Sequence, residues 1–196
     1  DYIHFASRGW WNRIVMGDLD NDGDEDLIIG NTGLNTQFHV SEKEPISEVY
    51  YDFDGNGSLD PILFYYIQGT NYPAFSRDEI ADQLPGIKKK FLTHKSYATA
   101  KMEDLFTPEQ LAGSKTLKAE MMETVYLENK GNSLDLHHFP IEAQYSPVYG
   151  IAIADINGDK KKDILLAGNN TWTRVRFGRY TSNHGTVLSG DDKGNF

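Results

Sequence analysis

Oxygen-bearing side chains recur in this chain at one fixed spacing, and they do so three times. The segments are Asp18-Leu19-Asp20-Asn21-Asp22-Gly23-Asp24-Glu25-Asp26, Asp52-Phe53-Asp54-Gly55-Asn56-Gly57-Ser58-Leu59-Asp60 and Asp155-Ile156-Asn157-Gly158-Asp159-Lys160-Lys161-Lys162-Asp163. Positions 1, 3, 5 and 9 of each carry carboxylates or amides: Asp18, Asp20, Asp22 and Asp26; Asp52, Asp54, Asn56 and Asp60; Asp155, Asn157, Asp159 and Asp163. Such a set suits Ca²⁺, a hard cation that takes six to eight oxygens, with the backbone carbonyl of position 7 (Asp24, Ser58, Lys161) as a further ligand. Like charges packed this closely would repel one another strongly without a cation between them. Two to three Ca²⁺ sites are therefore expected.

An EF-hand shares the early positions but closes with a Glu at position 12. Position 12 here is Ile29, Leu63 or Leu166, so that reading fails in all three loops. Each loop instead runs into a short apolar segment: Leu27-Ile28-Ile29, Pro61 to Tyr66, and Ile164-Leu165-Leu166. Runs of this kind, bounded by glycine and rich in β-branched and aromatic residues, read as buried strands. Apolar residues also precede loops one and three, at Ile14-Val15-Met16 and Ile151-Ala152-Ile153, so each loop is expected to join two strands.

The elements that must hold these loops are predominantly β. Around loops one and three the similarity extends outward on both sides, the mark of an internal repeat. Loop spacing is uneven, however: Asp18 and Asp52 are close, whereas Asp52 and Asp155 are far apart. Part of the long gap has helical punctuation. Ser76-Arg77-Asp78-Glu79 and Thr107-Pro108-Glu109-Gln110 are capping boxes, the second with proline at the first helical position, and Pro85-Gly86 breaks the stretch between them. The organisation expected is β repeats with loops one and two over residues 1–75, a helical insertion of two or three short helices over 76–122, with Lys88-Lys89-Lys90 on a solvated face, and a β repeat with loop three over 123–196.

Composition narrows the function classes. The formal charge is −10, but 12 of the 29 acids lie in the three loops, and three divalent cations would offset six of those ten charges. The acidity is then mostly ligand chemistry, and nucleic-acid binding is not expected. Cysteine is absent, which removes disulfides and thiolate chemistry. Calcium at roughly millimolar levels can stabilise an exported protein as disulfides do elsewhere. No apolar run is long enough for a transmembrane helix. The first residues lack a secretory signal, so the chain reads as cytosolic or as a mature or excised segment.

Strand, Asp-rich loop, strand, then Gly-Asn, repeated at Asp18 to Thr32, Asp52 to Tyr66 and Asp155 to Asn169, resembles the FG-GAP or VCBS repeat family. Its best-known members are the calcium-bearing β-propeller blades of integrin α-chains, and the likeness is nearest to exported, often surface-attached VCBS repeat proteins of Bacteroidetes-type bacteria. Weaker echoes stand at Val125 to Asn132 and Gly190 to Phe196. The resemblance implies an all-β fold of partial propeller blades with a helical insertion, a fragment of a longer repeat protein, and an extracellular, cell-surface or periplasmic location. It implies a calcium-binding adhesion or interaction module that engages a protein or glycan at a cell surface, with self-association through open strand edges. One departure is Lys160 at position 6, where loops one and two have Gly23 and Gly57; a positive φ there costs lysine about 1 kcal/mol.

The remaining candidates are weaker in kind. Trp172, Arg174, Arg176, Arg179 and Tyr180 form a cationic, aromatic cluster that would suit an acidic or sugar ligand. Alternating arginines on a half-exposed strand read more simply as a solvated face. His137-His138 point to opposite faces of a strand and read as surface residues. No nucleophile elbow, zinc-protease helix or P-loop is present, so a binding module is favoured over an enzyme. The alternative kept open is a catalytic or non-catalytic part of a polysaccharide-processing enzyme.

Overall fold

The computed structural model describes residues 2–191 and 193–196; Asp1, the first residue considered for a leader, and Asp192, in the last echo of the repeat, lie outside them. In chain order the elements are β1 (Arg13–Gly17), β2 (Asp26–Gly30), β3 (Ile46–Tyr51), β4 (Asp60–Ile67), β5 (Thr70–Pro73), α1 (Arg77–Gln83), α2 (Gly86–Lys90), α3 (His94–Tyr97), α4 (Met102–Leu105), α5 (Pro108–Gly113), β6 (Lys115–Ala119), β7 (Val125–Asn129), β8 (Leu134–His138), β9 (Gly150–Ala154), β10 (Asp163–Ala167) and β11 (Thr186–Leu188). Strand content is 31% against 17% helix, so the chain is built on antiparallel sheets as expected. No closed barrel or propeller is found among the described residues.

The chain divides into two compact units, one of residues 1–39 with 121–196, the other of residues 40–120. These boundaries differ from those the punctuation suggested. Loops one and three share the first unit, and loop two belongs with the helices in the second. The uneven loop spacing follows directly, because 40–120 is inserted between two strands that are neighbours in one sheet.

That sheet, in the first unit, has the order β1-β2-β7-β8, all antiparallel. A second sheet of order β11-β10-β9 repeats the design of a hairpin plus a third strand. Strand alternation sorts the side chains. Ile28 and Tyr126 point to one face, where they meet Leu19, Phe139, Val148, Ile164, Leu166 and Leu188. Ile29, Val125 and Leu127 point to the other, covered by Phe5, Trp11 and Met121. With both faces of β2 and β7 covered, their near-continuous apolar sequences are explained.

In the second unit the sheet order is β5-β4-β3-β6, and the five helices lie in sequence between β5 and β6. They do not stand apart as a helical insertion. Ile80, Leu84, Ile87, Phe91, Leu105 and Phe106 bury themselves against Val49, Ile62 and Phe64 of the sheet and Phe53 of loop two. Both capping boxes form: Ser76 N–H donates to Glu79 Oε2 at 2.7 Å, and Thr107 N–H to Gln110 Oε1 at 2.8 Å. Thr93 caps α3 in the same way. The triple lysine is only partly a solvated face, since Lys90 Nζ donates to the Leu105 carbonyl at 3.2 Å.

Candidate metal centre

All three acidic loops are hairpin connections of one register. The residue before position 1 pairs with position 9: Gly17 with Asp26, Tyr51 with Asp60, Ala154 with Asp163. The position-9 carboxylate folds back over the turn and accepts the N–H of position 2, from Leu19, Phe53 or Ile156, at 2.9 Å each time. Position 3 accepts from the N–H of position 5: Asp20 from Asp22 at 3.2 Å, Asp54 from Asn56 at 3.1 Å, Asn157 from Asp159 at 2.8 Å. Position 5 accepts from position 7 in turn: Asp22 from Asp24 at 2.9 Å, Asn56 from Ser58 at 2.8 Å, Asp159 from Lys161 at 2.9 Å. These are side chains mimicking backbone turns, which only short oxygen-bearing residues can do.

This winding needs left-handed backbone at two positions. Position 4 takes a φ of 62° at Asn21, 73° at Gly55 and 84° at Gly158, and position 6 takes 98° at Gly23, 87° at Gly57 and 70° at Lys160. Lys160 therefore adopts the conformation that the other loops give to glycine. Asn21 is a substitute that tolerates the region well.

Chemically the loops are not equivalent. In loop one the carboxylate oxygens of Asp18, Asp20 and Asp22 lie within 4.8 Å of one another, and in loop two those of Asp52, Asp54 and Asp60 do. Oxygens that close can all sit at the 2.3–2.6 Å that Ca²⁺ demands of its ligands. Among the described residues loop three gathers no such trio of acids. Asn157 supplies an amide in place of a carboxylate; both oxygens of Asp155 accept loop N–H groups, from Gly158 at 2.6 Å and Lys160 at 2.9 Å, as both oxygens of Asp52 do in loop two, from Asn56 and Gly57 at 2.9 Å each. Asp18 is different again. Its Oδ1 is buried with no donor, an unsatisfied acceptor that a cation would satisfy.

Asp26 stands outside the loop-one trio and acts as a brace. Completely buried, it accepts from Leu19 N–H, from the Tyr126 hydroxyl at 3.2 Å and from Asn129 N–H at 2.9 Å. Asp163 does the same in its sheet, its Oδ1 accepting from Gly190 N–H at 3.1 Å. The two weaker sequence echoes are explained: the first runs along β7, which supplies Tyr126 and Asn129 to Asp26, and the second begins just past β11 at Gly190, whose N–H holds Asp163. Burial, reinforced by the Asp26 charge, pushes the Tyr126 phenol up. Donation from the Ile156 N–H holds the Asp163 carboxyl below its usual range.

Two residues that sequence reasoning did not select reach loop one from elsewhere in the same unit. Glu128 on β7 acts on Asp20. Burial, then the Glu128 carboxyl and the charges of Asp22 and Asp26, push Asp20 upward against the lowering donation from Asp22 N–H. The second is Lys162 of loop three. Its Nζ donates to the Asp18 carbonyl and lies 3.9 Å from Asp18 Oδ2. No local signal could have shown either contact, because both depend on how distant strands pair.

The remaining sequence candidates lie apart from the acidic trios. His137 and His138 each pair with a separate carboxylate, Glu128 at 3.0 Å and Glu123 respectively, so they share no ligand. Trp172, Arg174, Arg176, Arg179 and Tyr180 lie on a loop and not on a strand: Val175–Phe177 is a turn of 3-10 helix, and Asn170 bridges to Tyr180. The solvated-strand reading of that segment is thereby corrected. Comparison of the chain with family models, with curated proteins and with solved structures finds no match.

Proposed function

We propose that this chain is a calcium-stabilised β module, part of a propeller-type array of FG-GAP or VCBS repeats, which serves outside the cell or at its surface as an interaction module for protein or glycan partners. The observation that carries the reading is the common frame of the three loops. One hairpin register, one position-9 brace and two Asx turns hold carboxylate oxygens together in loops one and two. A turn needs no such density of carboxylates to form, so their convergence is best explained by a cation. Two sheets of the same hairpin-plus-strand design within one unit support the repeat reading.

Residues Asp18, Asp20 and Asp22 would hold one ion, and Asp52, Asp54 and Asp60 another, with the carbonyls of Asp24 and Ser58 in the position-7 role. Bound Ca²⁺ would supply charge neutralisation and rigidity. Thermal melting in millimolar Ca²⁺ and in chelator tests this. Each occupied site adds about 2.7 kcal/mol at a free concentration one hundred times Kd, so the midpoints should separate clearly. Coincident midpoints would refute the calcium reading.

A further inference from the structure

The loop 170–180 is held at its base and left bare at its tip. Asn170 and Tyr180 exchange both backbone hydrogen bonds, at 2.7 and 2.9 Å, and the Trp172 N–H donates to Asn170 Oδ1 at 2.9 Å. Inside the loop the Phe177 N–H donates to the Arg174 carbonyl at 2.9 Å, and Thr173 Oγ1 donates to the Gly178 carbonyl. The Phe177 ring turns back onto Phe38, 5.4 Å between centroids, and Phe38 packs on Trp10. Tyr180 reaches Thr36. The turn thus spends two aromatic residues, Phe177 and Tyr180, on anchoring. In the same turn Trp172 and Val175 go the other way, with 95% and 99% of their surface in water.

Charge singles out the same place. Between Asp163 and Asp191 the chain has no acid at all, although its net charge is −10, and this stretch carries Arg174, Arg176 and Arg179, all exposed. The Arg176 guanidinium lies 5.5 Å from the centre of the Phe177 ring. Two exposed apolar side chains and three exposed guanidinium groups on an anchored turn form an amphipathic surface with a definite chemistry. Indole prefers the boundary between water and hydrocarbon, arginine pairs with phosphate oxygens, and an aliphatic side chain gains only from an apolar medium. An acidic polysaccharide would use the indole face and the arginines and leave Val175 in water. A nucleic acid would likewise use the indole face and the arginines and leave Val175 in water. A bilayer satisfies all three groups at once.

We propose that the loop 170–180 is a membrane-docking tip: Trp172 and Val175 insert at the interface of an anionic lipid bilayer while Arg174, Arg176 and Arg179 pair with its phosphates. Docking of this kind needs both contributions, since a few apolar side chains or a few charges alone bind only marginally. It does not rest on the calcium reading; the test is run in chelator, at a temperature well below the melting midpoint measured in chelator, so that the chain is folded and calcium bridging between acidic loops and lipid cannot mimic docking.

The intact chain is sedimented with vesicles of phosphatidylcholine alone and of equimolar phosphatidylcholine and phosphatidylglycerol. Wild type should pellet with the anionic vesicles and remain in solution with the neutral ones. The Trp172→Ser/Val175→Ser variant and the Arg174→Gln/Arg176→Gln/Arg179→Gln variant should each lose at least about tenfold in partitioning, each compared with wild type at a temperature below its own melting midpoint. Failure of wild type to pellet overturns the proposal, whatever the variants do. Equal pelleting with neutral vesicles, or undiminished pelleting by either variant, also overturns it. So does retention on an acidic polysaccharide that survives the Trp172→Ser/Val175→Ser change while the vesicles pellet nothing, which would assign the arginines to a glycan.

Discussion

Loops one and three lie in one unit, share one hydrogen-bond frame, and differ in almost every side chain that does not build it. Position 9 and the two left-handed positions are kept, while Asp20 becomes Asn157, Gly23 becomes Lys160, and Asp24-Glu25 become Lys161-Lys162. Backbone form and charge are therefore separable. The brace and the turns fix the path of the chain, and the other positions decide whether the turn requires a cation. Loop one concentrates six acids in nine residues and leaves Asp18 Oδ1 without a donor. Loop three brings three lysines beside three acids and satisfies both oxygens of Asp155 from its own backbone. On the calcium proposal, the first is a loop that calls for an ion, and the second carries its own counter-charge.

The largest effects should fall on what the two loops share. Asp26→Ala strands the buried Leu19 and part-buried Asn129 donors, and Asp163→Ala the part-buried Ile156 and Gly190 donors, at a cost of up to about 1–3 kcal/mol apiece. Asp26→Ala should lose about 3 kcal/mol and Asp163→Ala about 2 kcal/mol in urea unfolding carried out in chelator. If loop three tolerated the change, the common brace would not be what fixes its path.

Next comes the ion itself. Asp18→Ala should abolish the tightest calcium event seen by titration calorimetry and, at a hundred times Kd, about 2.7 kcal/mol of calcium-dependent stability. Asp155→Ala should leave that event in place. The reverse ranking would show that charge count does not govern affinity here.

A smaller effect concerns Lys162, whose ammonium lies 3.9 Å from Asp18 Oδ2 and competes for the same charge. Lys162→Met should tighten calcium binding by loop one about threefold, a modest change because the pair is partly exposed and screened. Unchanged affinity in low salt would mean that the ammonium moves aside without cost. Smallest of all is the turn. Lys160→Gly should stabilise the chain by about 1 kcal/mol or less by relieving a left-handed lysine, and Gly23→Lys should cost a similar amount. A destabilising Lys160→Gly would reveal a role for the lysine beyond its backbone.

The hairpins around the loops were legible in the sequence because the signal is local: acids at alternate positions, then a β-branched run. The capping boxes at Ser76 and Thr107 were legible for the same reason. Partnership between strands was not. Nothing in Val125-Tyr126-Leu127 says that it pairs with β2 across the whole of 40–120, so the insertion was drawn around the helices instead of around the unit that contains them. β6 was missed because Lys115-Thr116-Leu117-Lys118 is a mostly exposed strand with little apolar content. Glu128 and Lys162 reach loop one only through that long-range pairing. At 172–180 the alternation of arginine imitated a strand, and the glycine at 178, with φ of 72°, closes a turn instead.

The placement of residues 40–120 between β2 and β7 also sets an order of events during folding. Asn31 and Thr124 are hydrogen-bonded across 93 residues of chain. Closing so long a disordered segment costs about 2 kcal/mol more than closing a short one, at about 0.6 kcal/mol per doubling of length. A second unit that has already folded removes most of that penalty, because the Gly33 N–H to Met122 carbonyl contact, at 2.7 Å, then needs only two short linkers to meet. The inserted unit would thus act as a folding clamp for the sheet that flanks it. A cavity in its core, such as Phe64→Ala, should slow the pairing of β2 with β7 in stopped-flow refolding even though no atom of that sheet is altered. Equal refolding rates for the two sheets of the first unit in that variant would show that they assemble without waiting for the insert.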